Sequence, residues 1–431
     1  MSASLSIQIG FDNGPLETVT IWTEIRDYVQ GLEIVRGSTN ELDAVSPGTI
    51  RLTLDNTVDS SGGRPFDPDD TASPFFGKLL PGRPIRVIAT YLALPYPLFY
   101  GSVDSWGPIG YNPAVPYATV ELTATDNLRL LYDLPLRPQR PWTLEDATLG
   151  AIDSSTILIQ GPAEYPAEHE SGIRIGKLLD LAGWPTGLRD IDGGQTVLKS
   201  DAPPDSERIG SYIERIRVTE YGRVWVKPDG TFAFDERRSW QSRPQQKTSQ
   251  ATFSDAPTGG ELPYNECAYD PGSRTQLKNV VRRGQDGGQE FRVVDSPSIA
   301  AYGPREDART DLLMRDSQEA QDQANYVLGR YKNPTSLVRS ITLDSTHAEA
   351  TMLPQQLGRE LYDRITVVRR SRSGAALNSR EYWIERIEHR FDRFVDRLIT
   401  TWSLSQAETS AFWTLEDPTL GAVDSTNLIA Y

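Results

Sequence analysis

The sequence predicts a mainly β chain, with two related β domains separated by a compact α/β insert. Three observations predict this. Segments of alternating apolar and polar residues recur along both halves of the 431 residues. Thirty prolines and 34 glycines are spread between those segments, where they suit turns joining short strands. A thirteen-residue stretch, residues 142–154, returns almost verbatim as residues 413–425.

Taken in chain order, residues 49–55 alternate strictly, with Ile50, Leu52 and Leu54 on one face. Residues 84–91 read as a more fully buried strand, and residues 97–106 and 118–124 complete a small barrel or sandwich over about residues 1–140. Turn clusters such as residues 56–63 and 67–70 separate them. From about residue 165 the period changes. Ile175, Leu178, Leu179 and Ala182 are spaced for one face of a helix that Gly183 ends, and Ile209, Tyr212, Ile213 and Ile216 mark a second helix to about residue 220. A hairpin over residues 223–234 turns on Lys227-Pro228-Asp229-Gly230. These elements form the α/β insert, residues 165–244. Strands resume over residues 245–410, interrupted by a helix at 316–332 that opens on Asp316 and Glu319 and stops at Pro334. Within the strand 382–391 the apolar phase slips between Ile384 and Ile387, which predicts a bulge.

Composition excludes several functions. A net charge of −15 is unsuited to gripping nucleic acid, which needs clustered Lys and Arg. One cysteine, Cys267, allows no intrachain disulfide or thiolate cluster, and it reads as a buried small hydrophobe. Three scattered histidines give no metal-ligand spacing; His389 falls on an alternating strand and reads as a satisfied core or interface residue. The acidic turn with Asp67, Asp69 and Asp70 lacks the glycine and glutamate that a calcium loop requires, so it reads as a solvated turn. There is no catalytic signature, no cofactor motif, no signal peptide and no apolar run long enough to span a membrane. A soluble product of the cytosol is expected, with no catalytic, cofactor or metal site.

The repeat is the strongest functional signal. Its two copies lie 271 residues apart, too far for a solenoid period, and each follows the closing strand of a β domain. Trp142, Leu144 and Leu149 correspond to Trp413, Leu415 and Leu420, apolar anchors of the kind enriched at interfaces. These six residues are the expected docking residues, on segments 141–164 and 411–431, and the acids among them stay solvated. A chain with two similar domains places six similar units in a ring when three copies assemble.

Four patches also resemble a known family. They are Val35-Arg36-Gly37-Ser38 through Trp106, including Arg64-Pro65-Phe66-Asp67-Pro68; Leu178 through Pro185 with Glu220-Tyr221-Gly222 and Pro228 through Phe234; Ser298 through Glu306; and the closing Trp-x-Leu-x-Asp-x-x-x-Gly segment. In this order they resemble the hub-type minor tail proteins of long-tailed bacteriophages, especially those infecting actinobacteria. The resemblance implies two tail-tube-like β-barrels (1–140 and 245–410), the α/β insert, and a homotrimeric ring at the tail tip, in the virion, assembled in the host cytoplasm. It implies contacts to the tail tube, a distal tail protein, the tape-measure protein and fibre or receptor-binding proteins. DNA is met only in transit, through a neutral or acidic channel. Longer relatives carry peptidase, lysozyme or fibre domains beyond the point where this chain stops. A tail-associated cell-wall hydrolase and a carbohydrate-binding adhesin are the alternative readings.

Overall fold

The computed structural model describes residues 3–136 and 168–407, apart from residues 20, 42, 45, 61, 112–116, 202, 204–205, 274–275, 347–348, 372 and 393–396. Segments 141–164 and 411–431, with the six expected docking residues, lie outside the described residues.

The first sheet is built from β1 (Ser4–Ile9), β2 (Thr23–Glu24), β3 (Val29–Gly37), β4 (Thr49–Asp55), β5 (Pro84–Tyr91), β6 (Leu94–Tyr111) and β7 (Ala118–Asp126). Its strands form for the reason the pattern gives. Ile50, Leu52 and Leu54 of β4 are fully or almost fully buried, while the residues between them are not. A short helix, α1 (Leu128–Asp133), leads towards the insert.

The insert holds β8 (His169–Glu170), α2 (Ser171–Leu181), β9 (Arg189–Ile191), β10 (Val197–Leu198), α3 (Ile209–Glu220), β11 (Arg223–Val226) and β12 (Phe232–Asp235). Ile175, Leu178 and Leu179 of α2 meet Ile209, Tyr212, Ile213 and Ile216 of α3 over β11 and β12, in one apolar cluster that also takes in Leu128 and Leu131. Strand β11 is two-faced. Val224 and Val226 face this cluster, whereas Trp225 enters the core of the second sheet.

The second half contributes β13 (Thr252–Ser254), β14 (Leu262–Pro263), β15 (Glu266–Asp270), β16 (Val280–Gln285), β17 (Glu290–Val294), α4 (Ser296–Tyr302), β18 (Glu306–Leu312), α5 (Ser317–Tyr331), β19 (Leu337–Asp344), α6 (Glu349–Gly358), β20 (Arg364–Arg370), β21 (Ala376–Asp392) and β22 (Arg397–Gln406). Strands β16, β17 and β18 form a separate three-stranded sheet packed against α5; β16 and β18 are parallel, and the chain passes between them through β17 and α4. Helix α6 was not legible from the sequence pattern, since Pro354 inside it reads as a helix breaker.

The two main sheets repeat one topology. The first runs β3-β4-β7-β6-β5-β1 and the second β15-β19-β22-β21-β20-β13. Leaving aside the two-residue outer strands β2 and β14, and counting the six remaining strands of each in chain order, both read 2-3-6-5-4-1. Every pairing is antiparallel except β13 on β20, which is parallel where β1 on β5 is antiparallel. The likeness extends to single hydrogen bonds. In the first sheet Val103 N–H donates to Arg83 C=O (2.8 Å) and Val103 C=O accepts from Gly82 N–H (2.7 Å). In the second, Ile384 N–H donates to Asp363 C=O (3.1 Å) and Ile384 C=O accepts from Tyr362 N–H (2.7 Å). Gly82 and Tyr362 both have positive φ (77° and 69°), and a bulge follows at once, between Val103 and Ser105 and between Ile384 and Arg386. The phase slip read from the sequence at 384–387 is this bulge.

The chain is mainly β, but none of its described sheets closes into a barrel. For the first sheet the reason is where β3 finds its partner. Instead of meeting β1 across a barrel seam, β3 pairs antiparallel with residues 386–392 of β21, fusing the two sheets into one of 14 strands. Gly37 makes the crossing possible. Its φ is +85°, and a Cβ there would lie 2.1 Å from the Glu385 carbonyl oxygen. Gly37→Ala is therefore expected to lower unfolding free energy by about 2 kcal/mol or more, from left-handed strain and a backbone clash. Guanidinium unfolding followed by tryptophan fluorescence checks it; an unchanged midpoint would mean that the sheets do not meet at Gly37.

Candidate functional site

With the expected docking residues outside the described chain, the most elaborate arrangement of functional side chains lies where β3, β21 and the insert meet. Strand β3 buries Leu32, Ile34 and, in the same phase, Arg36, which is only 5 % exposed. A guanidinium in an apolar phase needs partners. Arg36 donates from Nη2 and Nη1 to the two carboxylate oxygens of Glu360 (2.6 and 3.2 Å), a bidentate pair, and from Nη2 to the Val226 carbonyl (3.0 Å). One side chain thus joins the first sheet, the approach to β20 and the insert.

Just beyond β3, Glu41 accepts from Arg330 Nη2 (2.8 Å) and from the Tyr331 hydroxyl (2.7 Å), while Arg330 also donates to the Gln406 carbonyl (2.7 Å). Burial pushes the Glu41 carboxyl up, but Arg330 and Arg223 with the Tyr331 hydroxyl outweigh it and hold it below its usual range. Arg223 of β11 lies between the rings of Trp383 (4.3 Å) and Tyr362 (4.4 Å). Glu385, in the bulge of β21, is buried and pushed up by that burial; it accepts from the Ser405 hydroxyl. Glu41, Arg223, Tyr362, Trp383 and Glu385, with Arg217 and others, line a cavity of about 100 Å³.

The chemistry of this arrangement is that of a clasp. Asp126 is raised to about 7 and Asp235 and Asp363 to about 6, each by burial first. None of the three lines the cavity. Asp126 instead accepts from the backbone N–H of Gly48 (2.6 Å) and Leu128 (3.0 Å), and Asp235 accepts from Gln246. Among the described residues no three His, Cys, Asp or Glu side chains group as metal ligands. His389 is buried on β21, opposite Ile34, with Nδ1 3.0 Å from the Thr400 hydroxyl. Cys267 is partly buried at the margin of the second core.

Sequence patterns single out none of these ion pairs, because their partners are some 290–320 residues apart. One local signal exists, the arginine in the apolar phase Leu32-x-Ile34-x-Arg36. The patch from Val35 to Glu41, noted above for its family resemblance, supplies both Arg36 and Glu41.

No protein-family model matches the chain, and no curated protein matches its sequence. Solved structures do. A tail protein from Neisseria meningitidis aligns with a TM-score of 0.55 at 13% identity, over 94% of this chain and 97% of that one. The 43 kDa tail protein of prophage MuSo2 from Shewanella oneidensis aligns with a TM-score of 0.56 at 12% identity, over 94% and 98%. At such identities the likeness concerns the fold: this chain has the mainly β fold of those tail proteins along nearly its whole length. Among the described residues no helix is long and apolar enough to cross a membrane.

Two outcomes follow from the clasp. Glu360→Ala leaves Arg36 buried without its counter-charge and is expected to cost about 3 kcal/mol of stability, whereas adding Arg36→Met should recover more than half of that. Urea unfolding of the two variants checks this, and equal losses in both would refute the pairing. The second concerns pH. Burial, with Arg36 adding, lowers His389 from 6.5 to about 3, so the folded protein keeps it neutral while the unfolded chain protonates it near 6.5. The stability tied to neutral His389 is complete above pH 6.5 and declines as pH falls towards 3, by about 2 kcal/mol at pH 5. Asp126, raised, acts with the opposite sign, losing stability as pH rises towards 7. The wild-type minus His389→Gln stability difference should therefore fall from pH 7 to pH 5; a flat difference would contradict a neutral buried imidazole.

Proposed function

We propose that this chain is a structural protein of a phage-type tail, and that three copies form the hub ring at its distal end. The observation that carries the reading is the repeated six-strand topology within one chain, on a fold shared with tail proteins. Three chains of two like units present six like units around an axis, matching a sixfold tube on one side and threefold partners on the other. In this reading the ring joins the tail tube and a distal tail protein to fibre or receptor-binding proteins, contacts the tape-measure protein, and encloses the path of the DNA. The net charge of −15 suits such a passage, because a lumen rich in Lys and Arg would hold passing phosphates. The repeated segments at 142–154 and 413–425 are the docking elements, through Trp142, Leu144, Leu149, Trp413, Leu415 and Leu420.

Native mass spectrometry should find three chains; a stable hexamer would sink the proposal. Trp413→Ala should leave the melting temperature of the isolated subunit near wild type while weakening assembly about thirtyfold or more, the usual loss when an interfacial Trp anchor is truncated. A variant that melts much lower as a monomer would instead assign Trp413 to the subunit core.

A further inference from the structure

The junction between the two sheets of one chain has a counterpart that no described strand fills. Strand β21 uses its length in two parts on one side. Its first part pairs with β20, and residues 386–392 pair with Gly37 to Gly31 of β3 through seven residue pairs. Strand β6 holds the same place in the first sheet and is one residue longer, 18 residues against 17. Its first part pairs with β5 as far as Ser102, with Val103 still bonded to Arg83 and Gly82. On that same side no described strand pairs with residues 104–111. Strand β15 is the counterpart of β3. It pairs with β19 on one side and with no described strand on the other, and Glu266, Ala268 and Tyr269 on it are exposed. Such an edge is a template for another strand. Neither proline nor lysine interrupts β15, while the other outer strands of the fused sheet, β2 and β14, are only two residues long.

We propose that these two edges pair with each other between copies of this chain, residues 104–111 of one subunit antiparallel to β15 of the next. The inference rests on the ring reading and supplies its interface. The occupant is a second copy because the chain already contains the mating geometry once, as the junction of β21 with β3. Register follows from the counterparts. Through their shared positions opposite β7 and β22, Gly110 matches Arg390 and Tyr111 matches Phe391. Through β4 and β19, Ala268 matches Glu33 and Cys267 matches Leu32. Arg390 stands opposite Glu33 and Phe391 opposite Leu32, so Gly110 stands opposite Ala268 of the next subunit and Tyr111 opposite Cys267. The contact is head-to-tail, using a different edge on each partner, and such contacts close into a ring when the rotation between copies closes, as the ring reading requires. It differs from its template in Gly107-Pro108, which form a second bulge in β6 and leave the edge one N–H poorer.

Disulfide trapping tests it. Opposed residues in antiparallel strands lie about 4.5–5.5 Å apart at Cα, within the reach of a disulfide. A Cβ at Gly110 would meet no atom closer than 3.8 Å. In a Cys267→Ala background, Gly110→Cys combined with Ala268→Cys should give covalent dimers and trimers on mild oxidation, reversed by reductant. Each single cysteine alone should give none, and mixing the two single variants should give dimers only. Should the double variant fold poorly, Tyr111→Cys with the native Cys267 probes the neighbouring pair. A native trimer that never cross-links with either pair would overturn the edge pairing and leave the ring standing. A monomer in native mass spectra that also fails to cross-link would overturn both, and covalent dimers from a single-cysteine variant would show a like-to-like contact and refute the head-to-tail arrangement.

Discussion

Strand β21 belongs to two sheets at once, and the other long-range features of the molecule answer to that. Its first part completes the second sheet; its last seven residues complete the first. The cores follow the backbone. Phe391 of β21 and Leu398 of β22 are buried in the cluster under the first sheet, together with Leu353 and Leu357 of α6, although all four come from the second half of the chain. Hydrogen bonds across such a junction leave no room for a Cβ at Gly37. Beside the junction, Arg36 meets Glu360 and the Val226 carbonyl, and Arg330 meets Glu41 and the Gln406 carbonyl. The charged clasp thus sits where the fused strand brings the two sheets and the insert together, and removing one partner of such a buried pair leaves an uncompensated charge.

Against that shared plan, the two sheets differ in ways that make them unequal partners. Between the third and fourth strands the second unit carries α6, whereas the first carries the loop of residues 56–83. That loop stacks Phe75 on Phe11 and Phe66 on Trp106, and sets Phe66 and Phe75 edge-on to Tyr28. The first strand of each unit also runs in opposite senses, β1 antiparallel and β13 parallel to its neighbour. The two units thus keep one strand order but differ in the connection between their third and fourth strands and in the sense of their first.

How much of this was legible in the sequence depends on how local the cause is. The strands β4, β5 and β7 follow from alternation, α2 and α3 from helical spacing, and the β11–β12 hairpin from its Pro-Asp-Gly turn; all are visible within a dozen residues. The bulge at Ile384 was legible because a slipped phase is also local. The separate sheet of β16, β17 and β18 was not, since parallel pairing across a helix leaves the same alternation as a strand in the main sheet. The failure of the sheets to close was illegible for a deeper reason: nothing near Gly37 says that its partner is Arg386. The clasp shared that fate, apart from Arg36 standing in an apolar phase. The repeat that dominates the sequence lies outside the described residues, so the docking role drawn from it stands as a proposal.

The pairing of β3 with β21 also sets an order of events in time. Gly37 and Arg386 are about 350 residues apart in the chain, so a ribosome adding about 5–20 residues each second takes roughly 20–70 s to deliver the second after the first. Throughout that interval β3 has β4 on one side and an open edge on the other, with Leu32 and Ile34 lacking the cover that Phe391 later gives. The first sheet can form early, yet it cannot be finished until nearly the whole chain has been made. A growing chain held in that state is exposed to strand-edge aggregation, and its safe passage depends on slow accumulation or on chaperones that occupy the edge.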